Sequence, residues 1–155
     1  MHNFHIIVDA DSCPVKKEIM AAGQACDVHV IFVASYAHFL SEQGSHVTTV
    51  QVDPSDQSAD LHIANRIRSG DVLVTGDYGL AALGLAKGAH VMSPRGLIFT
   101  NDNMDELLER RHALAKQRRS GKYAKGPKPI TAHEKQEFLQ SMTKLLKQLQ
   151  ENRFL

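Results

Sequence analysis

The sequence predicts an α/β domain in which a mainly parallel sheet is covered by helices on both faces. Apolar runs alternate with helical patterns along residues 4–93, as in successive strand–helix–strand units. The runs HIIV and VLV contain no polar alternation, which is typical of strands buried on both faces of a sheet. The 155 residues, 43% of them hydrophobic and 23% charged, are enough for one globular domain with a sizeable core.

The first part of the domain contains three predicted strands. FHIIV, residues 4–8, is an apolar strand, and a helix follows at about residues 14–25. Pro14 suits the first turn of that helix, because the N–H that proline lacks would have no helical partner there. VHVIFVAS, residues 28–35, is rich in β-branched residues. After the weakly helical stretch SYAHFLSEQ, the run HVTTVQV at residues 46–52 alternates as a third strand does.

Two further strands are predicted, each next to a helix. SDQSADLHIANRIRSG carries apolar residues at helical spacing and ends at Gly70, a residue that favours the end of a helix. DVLVT, residues 71–75, is the fourth strand, and GLAALGLAKG is the helix that follows it. AHVMS, residues 89–93, is the fifth strand.

The C-terminal part is helical and basic. After LIFT, the segment NMDELLERRHALAKQRR is predicted to be a helix, and the Lys-, Gly- and Pro-rich segment at residues 119–130 an exposed hinge. Thr131 and Glu134 form a capping-box pattern that opens a last helix. We therefore predict an α/β domain at residues 1–118, and at residues 119–155 a basic hinge and helix that pack on the same domain or extend it.

Several protein classes are disfavoured by composition. No run approaches the roughly 18 apolar residues of a membrane span, so no membrane association is expected. The N-terminus lacks the basic region and the cleavage site of a signal peptide. The two cysteines, Cys13 and Cys26, are too far apart for a C-x-x-C motif. We expect a cytoplasmic protein with free thiols.

The net charge of +1 conceals an asymmetry along the chain. Residues 1–105 carry 6 Lys or Arg and 12 Asp or Glu, whereas residues 106–155 carry 12 and 5, which gives balances of −6 and +7. An acidic body with a basic tail is common among proteins that bind nucleic acid. We expect nucleic acid, and RNA in particular, to bind through the basic C-terminal part, although a solvated Lys-rich helix would have the same composition.

Carboxylates from three segments are expected at one edge of the sheet. Asp9 and Asp11 follow strand one, Asp77 follows strand four, and Asp60 lies in the first turns of the helix before strand four. Ligands of parallel sheets bind beyond the carboxyl ends of the strands. Clustered carboxylates repel one another, and a hard cation such as Mg²⁺ or Mn²⁺ relieves that repulsion. Such an ion promotes phosphodiester hydrolysis. Taken singly, each acid could instead be a helix cap.

Three stretches of the sequence resemble a known family. IIVDADSCPV, SADLHIANRI and GDVLVTGDYGLAALGL resemble the YaiI/YqxD family of bacterial proteins, and the resemblance covers most of the chain. That family is similar to PIN-domain nucleases, in which acids from strand one, a middle helix and the segment after strand four bind Mg²⁺ or Mn²⁺. The resemblance implies a PIN-like fold, with Asp9, Asp60 and Asp77 as metal ligands and catalytic residues. Asp11 would be a supporting catalytic acid.

Three further residues are candidates for substrate binding. Thr75 matches the hydroxyl residue of the PIN pattern T-x-D, two residues before Asp77. Lys16 lies at the start of the first predicted helix, close enough to the acids to approach a phosphate. Arg95 follows strand five at the same edge of the sheet, although it could equally be a turn residue in solvent.

The function expected from these features is Mg²⁺- or Mn²⁺-dependent hydrolysis of phosphodiester bonds in RNA. VDADS also resembles the start of haloacid-dehalogenase-like phosphatases, with Asp9 as nucleophile and Asp11 as general acid. In that alternative Ser35, after VIFVA, would be the second phosphatase motif. The chemistry also requires a lysine between this serine and the last acids, and the sequence has none between Ser35 and Asp77. A second alternative is a nucleic-acid-binding protein that keeps the acidic edge without turnover.

Overall fold

A computed structural model describes residues 4–11, 13–35, 44–54, 58–121 and 128–152. Six strands form one sheet: β1 (Ile6–Asp9), β2 (Val30–Ala34), β3 (Val47–Gln51), β4 (Val72–Val74), β5 (His90–Met92) and β6 (Ile98–Phe99). The helices of the described residues are α1 (Lys16–Cys26), α2 (Ser58–Arg66), α3 (Tyr78–Ala86), α4 (Asn101–Arg119) and α5 (Ala132–Asn152).

The strand order places a topological switch point at the centre of the sheet. The order is β3-β2-β1-β4-β5-β6, in which the first five strands run parallel and β6 is antiparallel to β5. The chain moves outward from β1 to β3 and then crosses back to β4 on the other side of β1. Adjacent connections that diverge in this way leave a crevice at the carboxyl ends of β1 and β4, where α/β proteins bind their ligands. Asp9 is the last residue of β1.

Two hydrophobic cores cover the two faces of the sheet. Ile6 and Val8 point to the face covered by α1 and α5, whereas Ile7 points to the face covered by α2, α3 and α4. Because side chains alternate along a strand, an uninterrupted apolar run supplies both cores at once. All three residues are fully buried. The predicted three-layer α/β fold with a mainly parallel sheet, the arrangement expected of a PIN-like domain, is confirmed.

The last helix is part of the hydrophobic core. The Thr131 hydroxyl accepts a hydrogen bond from the Glu134 N–H, and the Glu134 carboxylate accepts one from the Thr131 N–H, both at 3.1 Å. This is the predicted capping box. Phe138, Met142 and Leu146 follow at intervals of four residues and are buried against α1. No helix in the described ranges combines the length and the apolar character needed to cross a membrane.

Several local predictions differ from the structure. α1 begins at Lys16, with Pro14 before it and Val15 at the N-cap position, where no side chain caps the helix. The sequence beside Pro14 also offers Ser12 and Cys13 as caps of this helix; Cys13 lies before the N-cap position, and Ser12 lies outside the described residues. α2 ends at Arg66 rather than near Gly70. β6 was not predicted, because two residues of LIFT are too few to show a strand pattern. Most of the weakly helical stretch, residues 36–43, also lies outside the described residues.

We predict that the domain requires α5 for stability. Phe138 is 1% exposed, so Phe138→Ala should lower the free energy of unfolding by about 3–5 kcal/mol through lost burial and a cavity. Gln140→Ala, at an exposed position of the same helix, should change it by less than about 0.5 kcal/mol. Urea unfolding followed by circular dichroism measures both. Equal stability of the two variants would show that α5 packs only loosely on the domain.

Candidate metal centre at the carboxyl edge of the sheet

One hydroxyl group connects Asp9, the last residue of β1, with Asp77, which follows β4. The Thr75 hydroxyl donates a hydrogen bond to Oδ2 of Asp9 at 3.1 Å and accepts one from the Asp77 N–H at 3.0 Å. Thr75 is fully buried beneath the edge of the sheet. Its side chain therefore fixes the Asp9 carboxylate against the turn that carries Asp77. The prediction that Thr75 binds substrate conflicts with this burial, and its contacts instead position the two acids.

Asp77 caps the helix that it precedes. Its Oδ1 accepts a hydrogen bond from the Leu80 N–H at 3.0 Å, which satisfies one of the unpaired donors in the first turn of α3. The cap interpretation of Asp77 is thus correct. A cap uses one carboxylate oxygen, so capping is compatible with a metal contact through Oδ2. It also fixes the side-chain rotamer at the edge of the sheet.

Asp77 lines two clefts, one of which it shares with Asp9 and the other with Asp60. The larger cleft, of about 800 Å³, is lined by Asp9, Asp77 and residues of α4. The second, of about 560 Å³, is lined by Asp60 and Asp77 between α2 and α3. The structure therefore brings the three predicted ligands to one edge, with Asp77 shared by both clefts. Asp60 is half-buried in the first turn of α2, as predicted.

Burial and charge repulsion from neighbouring acids raise the pKa values of Asp9 and Asp60 at this edge of the sheet. Burial is the main cause that raises the pKa of Asp9, and the charges of Asp60, Asp11 and Asp77 raise it further, whereas the hydrogen bond from Thr75 lowers it. Burial and the charge of Asp77 likewise raise the pKa of Asp60. Ionised carboxylates are unfavourable at such a site, and a bound cation would stabilise their ionised form.

Asp11 makes a structural contact. Both of its carboxylate oxygens accept the Ser35 N–H, at 2.8 and 3.1 Å. This contact joins the connection after β1 to the residue that follows β2, and it keeps the two strand ends together. Asp11 is exposed, and its charge is close enough to raise the pKa of Asp9. The hydrogen bond from Ser35 fixes the orientation of the Asp11 carboxylate, which is compatible with the supporting role predicted for it.

The two predicted basic residues are engaged elsewhere. Lys16 donates from Nζ to the Cys13 carbonyl at 3.1 Å, within the connection that follows β1. The Arg95 guanidinium contacts the Glu134 carboxylate at 3.3 Å and donates to the carbonyl of Lys128. Arg95 therefore ties the turn after β5 to the start of α5. In this arrangement it does not line either cleft, contrary to a role as a free phosphate-binding residue.

Sequence reasoning did not place α4 at the site. Three arginines of this helix line the larger cleft together with Asp9 and Asp77, as do apolar residues of the same helix and of the facing turn. These arginines are Arg110, Arg111 and Arg118. Their spacing in the sequence does indicate that they share one face of a helix, because Arg118 lies 8 residues after Arg110 and 7 after Arg111. The spacing does not reveal which part of the domain this face of α4 lies against, because that depends on the packing of α4 against α3.

The acids supply suitable donors but no preformed coordination sphere. Within the described ranges, no group of three His, Cys, Asp or Glu side chains is arranged to hold a metal ion. The donor chemistry fits nonetheless, because carboxylate oxygens with excess negative charge suit Mg²⁺ or Mn²⁺. Asp9, Asp60 and Asp77 are therefore candidate ligands that the structure brings to one edge without a complete coordination sphere.

The chain has close relatives in sequence. A family model described as "Uncharacterized BCR, YaiI/YqxD family" matches residues 7–148. A UPF0178 protein of Bacillus velezensis is 46% identical over 141 residues, which cover 91% of this chain and 84% of that protein. A UPF0178 protein of Halalkalibacterium halodurans is 47% identical over 143 residues, covering 92% and 90%. Among solved structures, Rae1 (YacP) of Bacillus subtilis matches 96% of this chain and 99% of its own, with 15% identity and a TM-score of 0.42.

We predict that Asp9 destabilises the metal-free protein. Because its folded-state pKa is raised, the folded chain retains a proton that the unfolded chain has released, and the free energy of unfolding falls as pH rises through that window. Asp9→Asn removes this loss and keeps an oxygen that accepts from Thr75. In EDTA at pH 7, the variant should melt a few degrees above the native chain, and the difference should disappear below about pH 4.

The matched control is Glu109→Gln, an exposed carboxylate of α4. Its melting temperature should follow that of the native chain across the pH range. A lower melting temperature for Asp9→Asn at pH 7 would mean that the ionised Asp9 carboxylate stabilises the fold, contrary to the charge repulsion inferred here.

Proposed function

The chain belongs to the YaiI/YqxD family, and we propose that it is a Mg²⁺- or Mn²⁺-dependent nuclease that hydrolyses phosphodiester bonds in RNA. The observation that carries the proposal is the half-buried Asp9 carboxylate at the switch point of the sheet, with Asp60 and Asp77 on adjacent cleft walls. Such a group has no structural necessity at the end of an apolar strand. It has a clear use if a cation binds there.

Each residue of the edge has a distinct role in this proposal. Asp9, Asp60 and Asp77 would hold the ion, which on binding would polarise a phosphoryl oxygen and lower the pKa of a water molecule. Thr75 keeps the Asp9 carboxylate and the Asp77 turn in a fixed relation through its two hydrogen bonds. The Asp11 contact with Ser35 holds the connection after β1 against the end of β2.

The contacts of Asp11 favour a nuclease over the phosphatase alternative. In that alternative Asp11 is the general acid and Ser35 contacts the phosphate. Here both Asp11 oxygens accept the Ser35 backbone N–H, so Asp11 is held in a contact with the main chain rather than directed at a substrate as a general acid. The larger cleft is also lined by α4 from Leu107 to Arg118, a length of about 16 Å that exceeds a small phosphomonoester.

We predict that RNA cleavage depends on the charge of Asp77. Asp77→Asn keeps an oxygen that caps α3, because asparagine caps helices as well as aspartate does, but it removes the negative charge. Cleavage of a labelled RNA with single-stranded and hairpin parts in Mn²⁺ should slow by at least about 100-fold. EDTA should abolish cleavage by the native chain.

Asp27→Asn is the matched control. Asp27 is an exposed residue in the left-handed conformation at the end of α1, which asparagine also adopts, and it lies at the opposite edge of the sheet. This variant should cleave at the native rate. Cleavage that is absent in the native chain, or equal in the native chain and Asp77→Asn, would overturn the proposal. Salt-sensitive RNA binding without cleavage would favour the non-catalytic alternative, and turnover of phosphomonoesters alone would favour the phosphatase.

A further inference from the structure

The larger cleft combines an acidic side with a basic wall. Asp9 and Asp77 lie at the sheet edge, and the facing helix α4 contributes Arg110, Arg111 and Arg118. The acids alone would repel a phosphate chain, because like charges at short range raise the free energy of the complex. Three guanidinium groups across the same cleft reverse that effect and attract a polyanion.

The three arginines are accessible to a ligand. All are exposed on the surface of α4. Arg110 lies 3.7 Å from the Glu106 carboxylate, and both side chains are more than two-thirds exposed, so this surface ion pair contributes little and separates readily. An arginine can then bind two oxygens of one phosphate in a planar, bidentate contact.

The spacing of the arginines indicates a ligand with several phosphates. Arg111 and Arg118 are seven residues apart, which is two helical turns or about 10 Å along the axis of α4. Guanidinium groups at that separation face successive positions along a chain rather than a single phosphate. A polynucleotide fits this arrangement better than a mononucleotide does.

Apolar side chains lie between and opposite the arginines. Leu107, Leu114 and Ala115 of α4 line the cleft, and Tyr78 and Pro94 lie on the facing side. The Tyr78 ring is held by an edge-to-face contact with Phe99, with ring centroids 5.8 Å apart. Apolar and aromatic surfaces beside cations suit nucleotides whose bases are unstacked, whereas a duplex keeps its base faces inside.

We infer that the cleft between α4 and the β4–α3 turn binds a single-stranded polynucleotide. Arg110, Arg111 and Arg118 contact its phosphates, and the apolar lining contacts its bases. The proposed function supplies the identity of the strand as RNA, and the cleft directs that strand toward Asp9 and Asp77.

Binding can be measured apart from cleavage. The Asp77→Asn chain is titrated in Mg²⁺ against a fluorescently labelled RNA without self-complementarity, and affinity is read from anisotropy. The added triple substitution Arg110→Gln, Arg111→Gln and Arg118→Gln should lower affinity by at least about tenfold. It should also reduce the slope of log K against log salt by about 2, because each single-strand phosphate contact contributes about 0.7.

A charge-matched control separates this cleft from general basicity. Lys135→Gln, Lys144→Gln and Lys147→Gln remove three positive charges from α5, on the other face of the sheet, and should leave affinity within about twofold of the parent chain. Melting temperatures verify that both triple variants are folded. A duplex of the same sequence should bind more weakly than the single strand.

The inference is overturned if the arginine variant binds as tightly as its parent, if the lysine variant loses as much affinity, or if the duplex binds as tightly as the single strand. Its failure is distinguishable from failure of the proposed function. Arginine-dependent binding by a native chain that does not cleave RNA would support the inference and contradict the nuclease. Cleavage with binding that is independent of the arginines would do the reverse.

Discussion

The Asp9 carboxylate is the group on which the proposed site depends. It lies at the end of an apolar strand in the centre of the sheet, where burial and three other aspartates oppose its ionisation. The Thr75 hydroxyl offsets part of this cost and at the same time fixes the Asp77 turn. The arrangement is understandable if a cation supplies the missing compensation.

The strand order and α4 together place the Asp9 carboxylate in a crevice. Divergence of the connections from β1 and β4 opens the edge of the sheet, and α4 then covers it with arginines. In the proposed nuclease the two signs of charge have complementary uses, since the arginines would attract a polyanion while the carboxylates stay at the reacting phosphate. α5 takes no part in the clefts. It completes the opposite core through Phe138, and its first turn holds Arg95.

Local patterns in the sequence predicted the features that depend on short segments. The apolar runs predicted the buried strands, and the spacing of Thr131 and Glu134 predicted a capping box that the structure contains. The convergence of three acidic segments followed from strand direction. Contacts between distant segments could not be predicted in this way. Two examples are the hydrogen bond from the Ser35 N–H to Asp11 and the position of Arg111 in the cleft. Both depend on how complete helices and strands pack, which the residues next to them in the sequence do not indicate.

Calorimetric titration of the native chain with Mn²⁺, beside Asp9→Asn and Asp27→Asn, tests the metal site most directly. We expect saturable binding by the native chain and by Asp27→Asn, with affinity reduced at least about tenfold in Asp9→Asn, because the carboxylate that lines the larger cleft at the end of β1 is lost. Equal binding by all three chains would place any Mn²⁺ elsewhere. No binding by the native chain would contradict the claim that these carboxylates form a metal centre.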